Sequence, residues 1–230
     1  MRNIAYSARQ AARSATIIFL VSLLLFLVAG GLHYGSMRIF LIIFSAALAA
    51  TMFAIDPGLA EERSHPFHEA SIRGSFGPST CFLATLVVAA LDVGRLHWFD
   101  SVCGELRAFA LLLFAGAATL EWWAMIANPF FSPEIRLQTE REHRLITAGP
   151  YQFLRHPGYC AMLISVSASA LAIGSWLALV PAVSFCLLIS KRLGAEESFL
   201  KRSLPGYDAY MRQVRGALVP LPKRGRASSK

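Results

Sequence analysis

The run from Ala15 to Leu32 carries no charged residue and has Leu23-Leu24-Leu25-Phe26-Leu27-Val28 at its centre. A bilayer core is crossed by about 20 apolar residues in a helix, so a stretch of this length leaves few alternatives to a membrane span. Residues 1–14 before it hold Arg2, Arg9 and Arg13 and no acid. A cleavable signal peptide would normally have a shorter apolar core and an A-x-A-like site after it, and the first run is therefore read as a retained span. Arg38–Ile55, Thr80–Phe99 and Leu106–Ile126 repeat the pattern, and Cys160–Ser190 is apolar throughout. Gly174-Ser175 divides that last stretch into halves too short for separate crossings, so the spacing predicts a helical hairpin.

The predicted fold is thus all-α, a polytopic integral membrane helical bundle. It has about four full spans (near 15–32, 38–55, 80–99 and 106–126) in residues 1–127, with a polar loop at 56–78. A functional region at 128–215 contains the hairpin 160–190, and a basic tail follows at 216–230. Composition agrees: 55% of the 230 residues are hydrophobic and only 16% are charged, against about a quarter charged in soluble domains. The net charge of +8 needs no nucleic acid to explain it, because arginine and lysine gather beside spans on the cytoplasmic side and favour anionic lipid headgroups. With the N-terminus cytoplasmic, Arg38, Arg95 and Arg107 face outward and the other basic residues face inward. This places both termini, residues 128–157 and the segment after Ser190 in the cytoplasm. The membrane would be the cell inner membrane in a bacterium or the endoplasmic reticulum in a eukaryote.

Four cysteines, Cys81, Cys103, Cys160 and Cys186, form no C-x-x-C pair and read as small buried hydrophobes. His65-Pro66-Phe67-His68 has a proline between its histidines and no evident third ligand, so no metal site is expected. Asp92 and Arg95 lie three apart in the third span, where a helix would let them neutralise each other. Glu121 lies in the fourth span beside Trp122-Trp123; an intramembrane carboxylate needs a partner, either Arg95 or a ligand.

The functional region is organised around Gly149-Pro150-Tyr151-Gln152-Phe153-Leu154-Arg155-His156-Pro157-Gly158-Tyr159, where Gly-Pro and Pro-Gly pairs bracket a turned segment rich in polar side chains. Lys191-Arg192-Leu193-Gly194-Ala195-Glu196-Glu197 stands at the far end of the apolar run. If that run enters the membrane and returns, the two clusters meet, and opposed cations and carboxylates can hold a small zwitterion. Arg192 and Glu196, four apart, are also a plain helix-surface ion pair.

The string Gln138…His143-Arg144-Leu145-Ile146-Thr147-x-Gly149-x-Tyr151-x-x-x-Arg155-His156-Pro157-Gly158-Tyr159, followed by Arg192-x-x-x-Glu196-Glu197, resembles the isoprenylcysteine carboxyl methyltransferase family. That family lies within a wider group of small membrane methyltransferases that includes phospholipid methyltransferases. The resemblance covers roughly residues 128–215. It implies S-adenosylmethionine as cofactor, with Gln138, His143, Arg144, Leu145, Ile146, Tyr151, His156, Pro157, Gly158, Tyr159 and Glu196 lining its pocket and Arg192 facing the methyl acceptor. The interval from Gln138 to His143 is shorter than in the eukaryotic enzymes, and loop 56–78 has no counterpart.

The chemistry of these residues fits what the resemblance implies. The cofactor's carboxylate wants a cation, from His143, Arg144 or His156, and its ammonium wants a carboxylate, from Glu196. Its adenine wants an apolar face, from Tyr151, Tyr159 or the Tyr207/Tyr210 segment. A carboxylate acceptor needs no general base, and Arg192 would grip it; an amine acceptor would need one, from Glu197 or His156. The implied enzyme is an S-adenosylmethionine-dependent methyltransferase whose lipophilic acceptor enters from the bilayer. Its catalytic residues would be Arg192, Glu196 and Glu197, with membrane lipids as surroundings and no nucleic acid or metal as partner. The alternatives are a phospholipid or small-molecule methyltransferase of the same fold, an NADPH-dependent sterol-type reductase, which shares an R-H-x-x-Y turn before a hairpin, and a non-catalytic membrane protein.

Overall fold

The computed structural model describes residues 4–31, 34–54, 69–132 and 134–221, and every regular element among them is helical. In chain order these are α1 (Ile4–Ala29), α2 (Gly35–Ala54), α3 (Glu69–Leu91) with a π-helical turn at Asp92–Leu96, α4 (Gly104–Ala127), α5 (Pro157–Ile173), α6 (Leu179–Ser203) and α7 (Tyr207–Gln213). Short 3-10 turns lie at Thr139–Arg141 and Gly149–Gln152. The helical membrane bundle read from the sequence is borne out. Three described helices, α1, α3 with its π turn, and α4, are long and apolar enough to cross a membrane, whereas the apolar part of α2 is the shorter Gly35–Thr51.

α4 and α5 make the most extensive contact, and α3 packs on α6. The main core is built from Leu25, Met37, Phe40, Leu86, Phe114 and Ile173, drawn from five helices, with the Phe40 and Phe114 rings 4.8 Å apart. A second cluster, Val166, Ala182, Phe185 and Ile189, closes the α5–α6 hairpin. Large apolar side chains also point outward, among them Phe19, Ile42, Leu112, Val180 and Leu187, as a lipid-facing surface requires.

Several expectations change. Residues 69–78, read as the end of a polar loop, are the first turns of α3, with Pro78 inside the helix. A Cβ on Gly77 would lie 3.2 Å from Leu188 Cδ1 of α6, so tertiary packing carries the helix through its Gly-Pro breaker. His65 and His68 lie outside the described residues, and no cluster of metal-ligating side chains occurs among the described ones. Cys103 is exposed rather than buried, and the other three cysteines are half-buried.

Asp92 and Arg95 do not pair as expected. The backbone passes from α to π geometry at Asp92, which breaks the register that would put residues three apart on one face. Arg95 instead donates from Nε to the carbonyl of Val28 (2.7 Å) and from Nη2 to that of Leu27 (2.9 Å), satisfying carbonyls that the end of α1 leaves unpaired. Asp92 is fully buried. Its Oδ1 accepts the backbone N–H groups of Trp98 (3.0 Å) and Phe99 (3.1 Å), and its Oδ2 accepts the Ser175 hydroxyl at 2.5 Å. Trp176 N also donates to Phe99 O. The turn of the hairpin is therefore fastened to the far end of the bundle, which orients α5 and α6 so that their polar ends face the other way.

Removing a charged acceptor from buried donors costs roughly 1.5–3 kcal/mol or more. Asp92→Ala is expected to lower the thermal midpoint of the detergent-solubilised protein by several degrees, while Asp92→Asn, which keeps one acceptor, loses less. Equal midpoints for parent and Asp92→Ala would contradict this role.

Candidate functional site

Opposite that latch, one cavity of about 740 Å³ opens where α5 begins, α6 becomes polar and α7 packs back. Its polar end is built from the Gly149–Tyr159 segment outward. The 3-10 turn Gly149–Gln152 presses on the end of α4. Gly149 has φ +60°, and a Cβ there would lie 2.9 Å from Ala127 Cβ and 3.2 Å from Trp123 Nε1, so glycine is required for both the backbone conformation and the space. His156 is the N-cap of α5 and Pro157 its first residue, the position where proline's missing N–H costs nothing. Gly158 follows against Phe131, whose Cε2 would be 2.6 Å from an added Cβ. These two close approaches fix where Tyr159, the next residue, projects.

The Tyr159 hydroxyl is the meeting point of the hairpin. Arg192 Nε donates to it at 3.0 Å, and it donates to Glu196 Oε2 at 2.5 Å. Glu196 Oε1 lies 4.0 Å from His156 Nδ1. His156 is buried, with Nε2 3.2 Å from the Tyr207 hydroxyl and 3.4 Å from Glu197 Oε1. Burial pushes the Tyr207 and Tyr210 phenols above their ordinary range, so both stay protonated. Tyr210 donates to the carbonyl of Tyr151 at 2.7 Å, tying α7 to the 3-10 turn.

Of the residues anticipated for the site, His143, Arg144, Leu145, Ile146, Tyr151, His156, Pro157, Gly158, Tyr159, Arg192 and Glu196 all line this cavity. Gln138 and Glu197 do not, and both serve as struts. Gln138 is fully buried; its Nε2 donates to Phe130 O (3.1 Å) and its Oε1 accepts from Arg141 Nη1 (2.6 Å). Its backbone N–H is 3.2 Å from His143 Nδ1, and the imidazole stacks on Phe130 at 4.4 Å. Accepting that N–H requires a lone pair on Nδ1, and burial, followed by Arg136 and Arg141, pushes the His143 pKa down. His143 is therefore a neutral donor through Nε2 and does not supply the cation its position allowed. Arg144, adjacent on the same wall, keeps that role open.

Glu197 is turned away from its neighbour by the helix. Its Oε1 accepts Arg155 Nε at 2.6 Å. Arg155 Nη1 also donates to the carbonyls of Val214 (2.9 Å) and Arg215 (2.6 Å), while Arg155 N and His156 N donate to Gly216 O and Ala217 O. One arginine thus joins the start of α5, the polar half of α6 and the strap after α7. Sequence reasoning left Arg155 out of the site; its place inside the bracketed turn was the available signal, but its partners are distant in sequence.

The cavity continues past the polar groups into an apolar chamber lined by Ile17, Phe44, Leu48, Phe82, Phe114 and Phe185, from α1, α2, α3, α4 and α6. Glu121 lines the cavity as well. Arg95 is bound to α1 beyond the other end of α4 and is not its partner.

Fold and site together define a class: an all-helical membrane bundle in which an arginine, a phenol and a carboxylate meet at the head of an apolar chamber. Residues 109–202 match the family model of the isoprenylcysteine carboxyl methyltransferase (ICMT) family, and the family resemblance read from the sequence is borne out. The matched stretch runs from α4 through the polar half of α6, from Gln138 to Glu197 included. The chain is 31% identical over 130 residues to a probable protein-S-isoprenylcysteine O-methyltransferase of Oryza sativa subsp. indica, covering 53% of this chain and 62% of that protein. It is 29% identical over 109 residues to protein-S-isoprenylcysteine O-methyltransferase B of Arabidopsis thaliana, covering 47% and 53%. It is also 26% identical over 134 residues to the nickel-cobalt-cadmium resistance protein NccN of Alcaligenes xylosoxydans xylosoxydans, covering 57% and 59%. The chain thus spans about three-fifths of the length of these relatives or less.

The Arg155–Glu197 pair carries a pH signature. Hydrogen bonding from His156, then Arg155, holds the Glu197 carboxyl at about 2 instead of its ordinary 4.5, against the opposing effect of burial. Its folded pKa is the lower one, so the pair's contribution is full above about 4.5 and fades as pH falls toward 2. The thermal midpoint of the parent should therefore fall more steeply across that window than that of Glu197→Gln. Parallel pH profiles for the two proteins would remove Glu197 from this role.

Proposed function

We propose that this chain is an integral membrane methyltransferase that uses S-adenosylmethionine on a lipophilic acceptor, most like the O-methylation of an isoprenylcysteine carboxylate. The observation that carries this reading is the shape of the cavity at the head of α5 and α6. Its head holds Arg144, Tyr159, Arg192, Glu196 and Tyr207, and its tail is an apolar chamber among the membrane helices. A cofactor with an amino-acid end and an aromatic base fits the donor set at the head. Glu196 suits its ammonium, Arg144 its carboxylate, and the Tyr151 and Tyr207 rings offer faces for its adenine. When bound, the cofactor supplies an electrophilic methyl group on a sulfonium.

The chain's contribution is placement. Arg192 presents a planar, permanently charged guanidinium that grips a carboxylate at two points. The apolar chamber receives the acceptor's hydrocarbon and excludes water, which strengthens the charge interactions at the head. In-line transfer of a methyl group gains mainly from such positioning. An ionised carboxylate attacks without losing a proton, so no base is needed.

That last point favours a carboxylate over an amine acceptor. Glu197, one of the two bases considered for an amine, is held by Arg155 outside the cavity lining, and its low pKa makes it a poor proton acceptor. The other, His156, is tucked against Tyr207. O-methylation, the activity in the names of the Oryza sativa and Arabidopsis thaliana relatives, is consistent with a carboxylate acceptor. In the proposed topology the head of the cavity faces the cytoplasm, and the acceptor reaches the chamber sideways from the bilayer.

Calorimetric titration of S-adenosylmethionine into the solubilised full chain tests this. Saturable binding is expected in the parent. Glu196→Gln, which loses a charged hydrogen bond, is expected to weaken it about 10- to 100-fold. A folded parent that binds NADPH and not S-adenosylmethionine would overturn the assignment.

A further inference from the structure

We propose that the Tyr159 hydroxyl is a positioning group that couples the two ligand anchors, so that methyl donor and acceptor bind interdependently. The inference rests on the methyltransferase reading and goes further, because it assigns the cooperativity of the site to one atom.

A phenol has one proton to give and lone pairs to receive. Here both are used, and their direction is fixed by the partners. Arg192 is always protonated and can only donate; it does so from Nε at 3.0 Å. A carboxylate can only accept, and Glu196 Oε2 does so at 2.5 Å. The relay therefore runs one way, from guanidinium to phenol oxygen and from phenol proton to carboxylate. Arg192 and Glu196 sit a turn apart on α6, and both reach the same hydroxyl on α5. The hydroxyl has little freedom to follow either partner separately. Its residue is the third of α5, seated behind the Gly158–Phe131 approach, and its ring lies 5.7 Å from that of His156.

The consequence is a shared ordering cost. An ammonium settling on Glu196 fixes that carboxylate's rotamer, which fixes the phenol proton, which in turn aims the lone pair that holds Arg192. A carboxylate gripped by Arg192 orders the same chain from the other end. Whichever ligand arrives first orders the relay for the second, which is positive coupling, and it must be reciprocal. Phenylalanine would leave the ring in place and remove the one atom that joins the anchors.

The test is a set of titrations on the solubilised full chain. The affinity for S-adenosylhomocysteine, a donor-site ligand with no methyl group to transfer, is measured by calorimetry alone, with saturating N-acetyl-S-farnesylcysteine amide as the blank, and with saturating N-acetyl-S-farnesylcysteine carboxylate. In the parent, the carboxylate is expected to tighten donor-site binding by at least about fivefold, the lower end usual for two-site coupling, and the amide is not. In Tyr159→Phe, which remains folded, the enhancement is expected to fall to within twofold, whatever the variant's affinity for the donor-site ligand alone. Arg192→Lys, which keeps the charge and loses the Nε geometry, should lose the enhancement as well, and combining the two substitutions should cost no more than either alone. A Tyr159→Phe protein that retains the parent's enhancement would overturn the coupling and leave the methyltransferase reading intact. A folded parent that binds no donor-site ligand would overturn both.

Discussion

Arg155 is the contact on which the site depends. Its guanidinium reaches Glu197 on α6 and the carbonyls of Val214 and Arg215 in the strap beyond α7, while its own N–H and that of His156 hold Gly216 and Ala217. Three segments far apart in sequence become one wall of the cavity through that side chain. A planar guanidinium whose donors point in fixed, divergent directions can reach acceptors on α6 and on the strap at once, a geometry that the compact ammonium of lysine does not reproduce. Because the guanidinium takes Glu197 as its counter-ion, the neighbouring Glu196 is left to face the cavity.

The opposite end of the bundle performs a complementary task. Asp92 binds the loop of Trp98 and Phe99 and the hydroxyl of Ser175, and Arg95 closes the end of α1. Charged residues are expensive within a membrane helix. These two are tolerated because each bonds backbone groups that the π-helical turn and the end of α1 leave without helical partners. The hairpin is thereby held at its turn as well as at its mouth, and Tyr159 on α5 meets Arg192 and Glu196 on α6 in a fixed register.

Much of this was legible in the sequence, for physical reasons. Apolar runs of bilayer length have few folded solutions, so the helical bundle and the hairpin followed from the positions of Gly174 and the flanking charges. The meeting of the Gly149–Tyr159 segment with Arg192 and Glu196 followed from the hairpin. What sequence could not resolve was the direction of side chains near helix irregularities. Asp92 and Arg95 looked like a pair because spacing assumes α geometry, and the π turn cancels that assumption. Glu196 and Glu197 are indistinguishable as letters, and only the helical rotation between them sends one to Tyr159 and the other to Arg155. Gln138 looked like a pocket residue because it opens the motif, yet its amide is consumed in folding the loop that presents His143. The helical start of α3 was hidden by Gly77 and Pro78, where packing against Leu188 outweighs local preference.

In the proposed function the cavity between α5, α6 and α7 is a donor site with an acceptor chamber behind it. An experimental structure of the chain with S-adenosylhomocysteine tests it most directly. The ligand's amino group is expected within hydrogen-bond distance, about 3 Å, of Glu196, its base beside Tyr151 or Tyr207, and its sulfur facing Arg192 and the apolar chamber. A ligand bound elsewhere, or one whose amino group lies on Glu197 with Arg155 displaced, would contradict it.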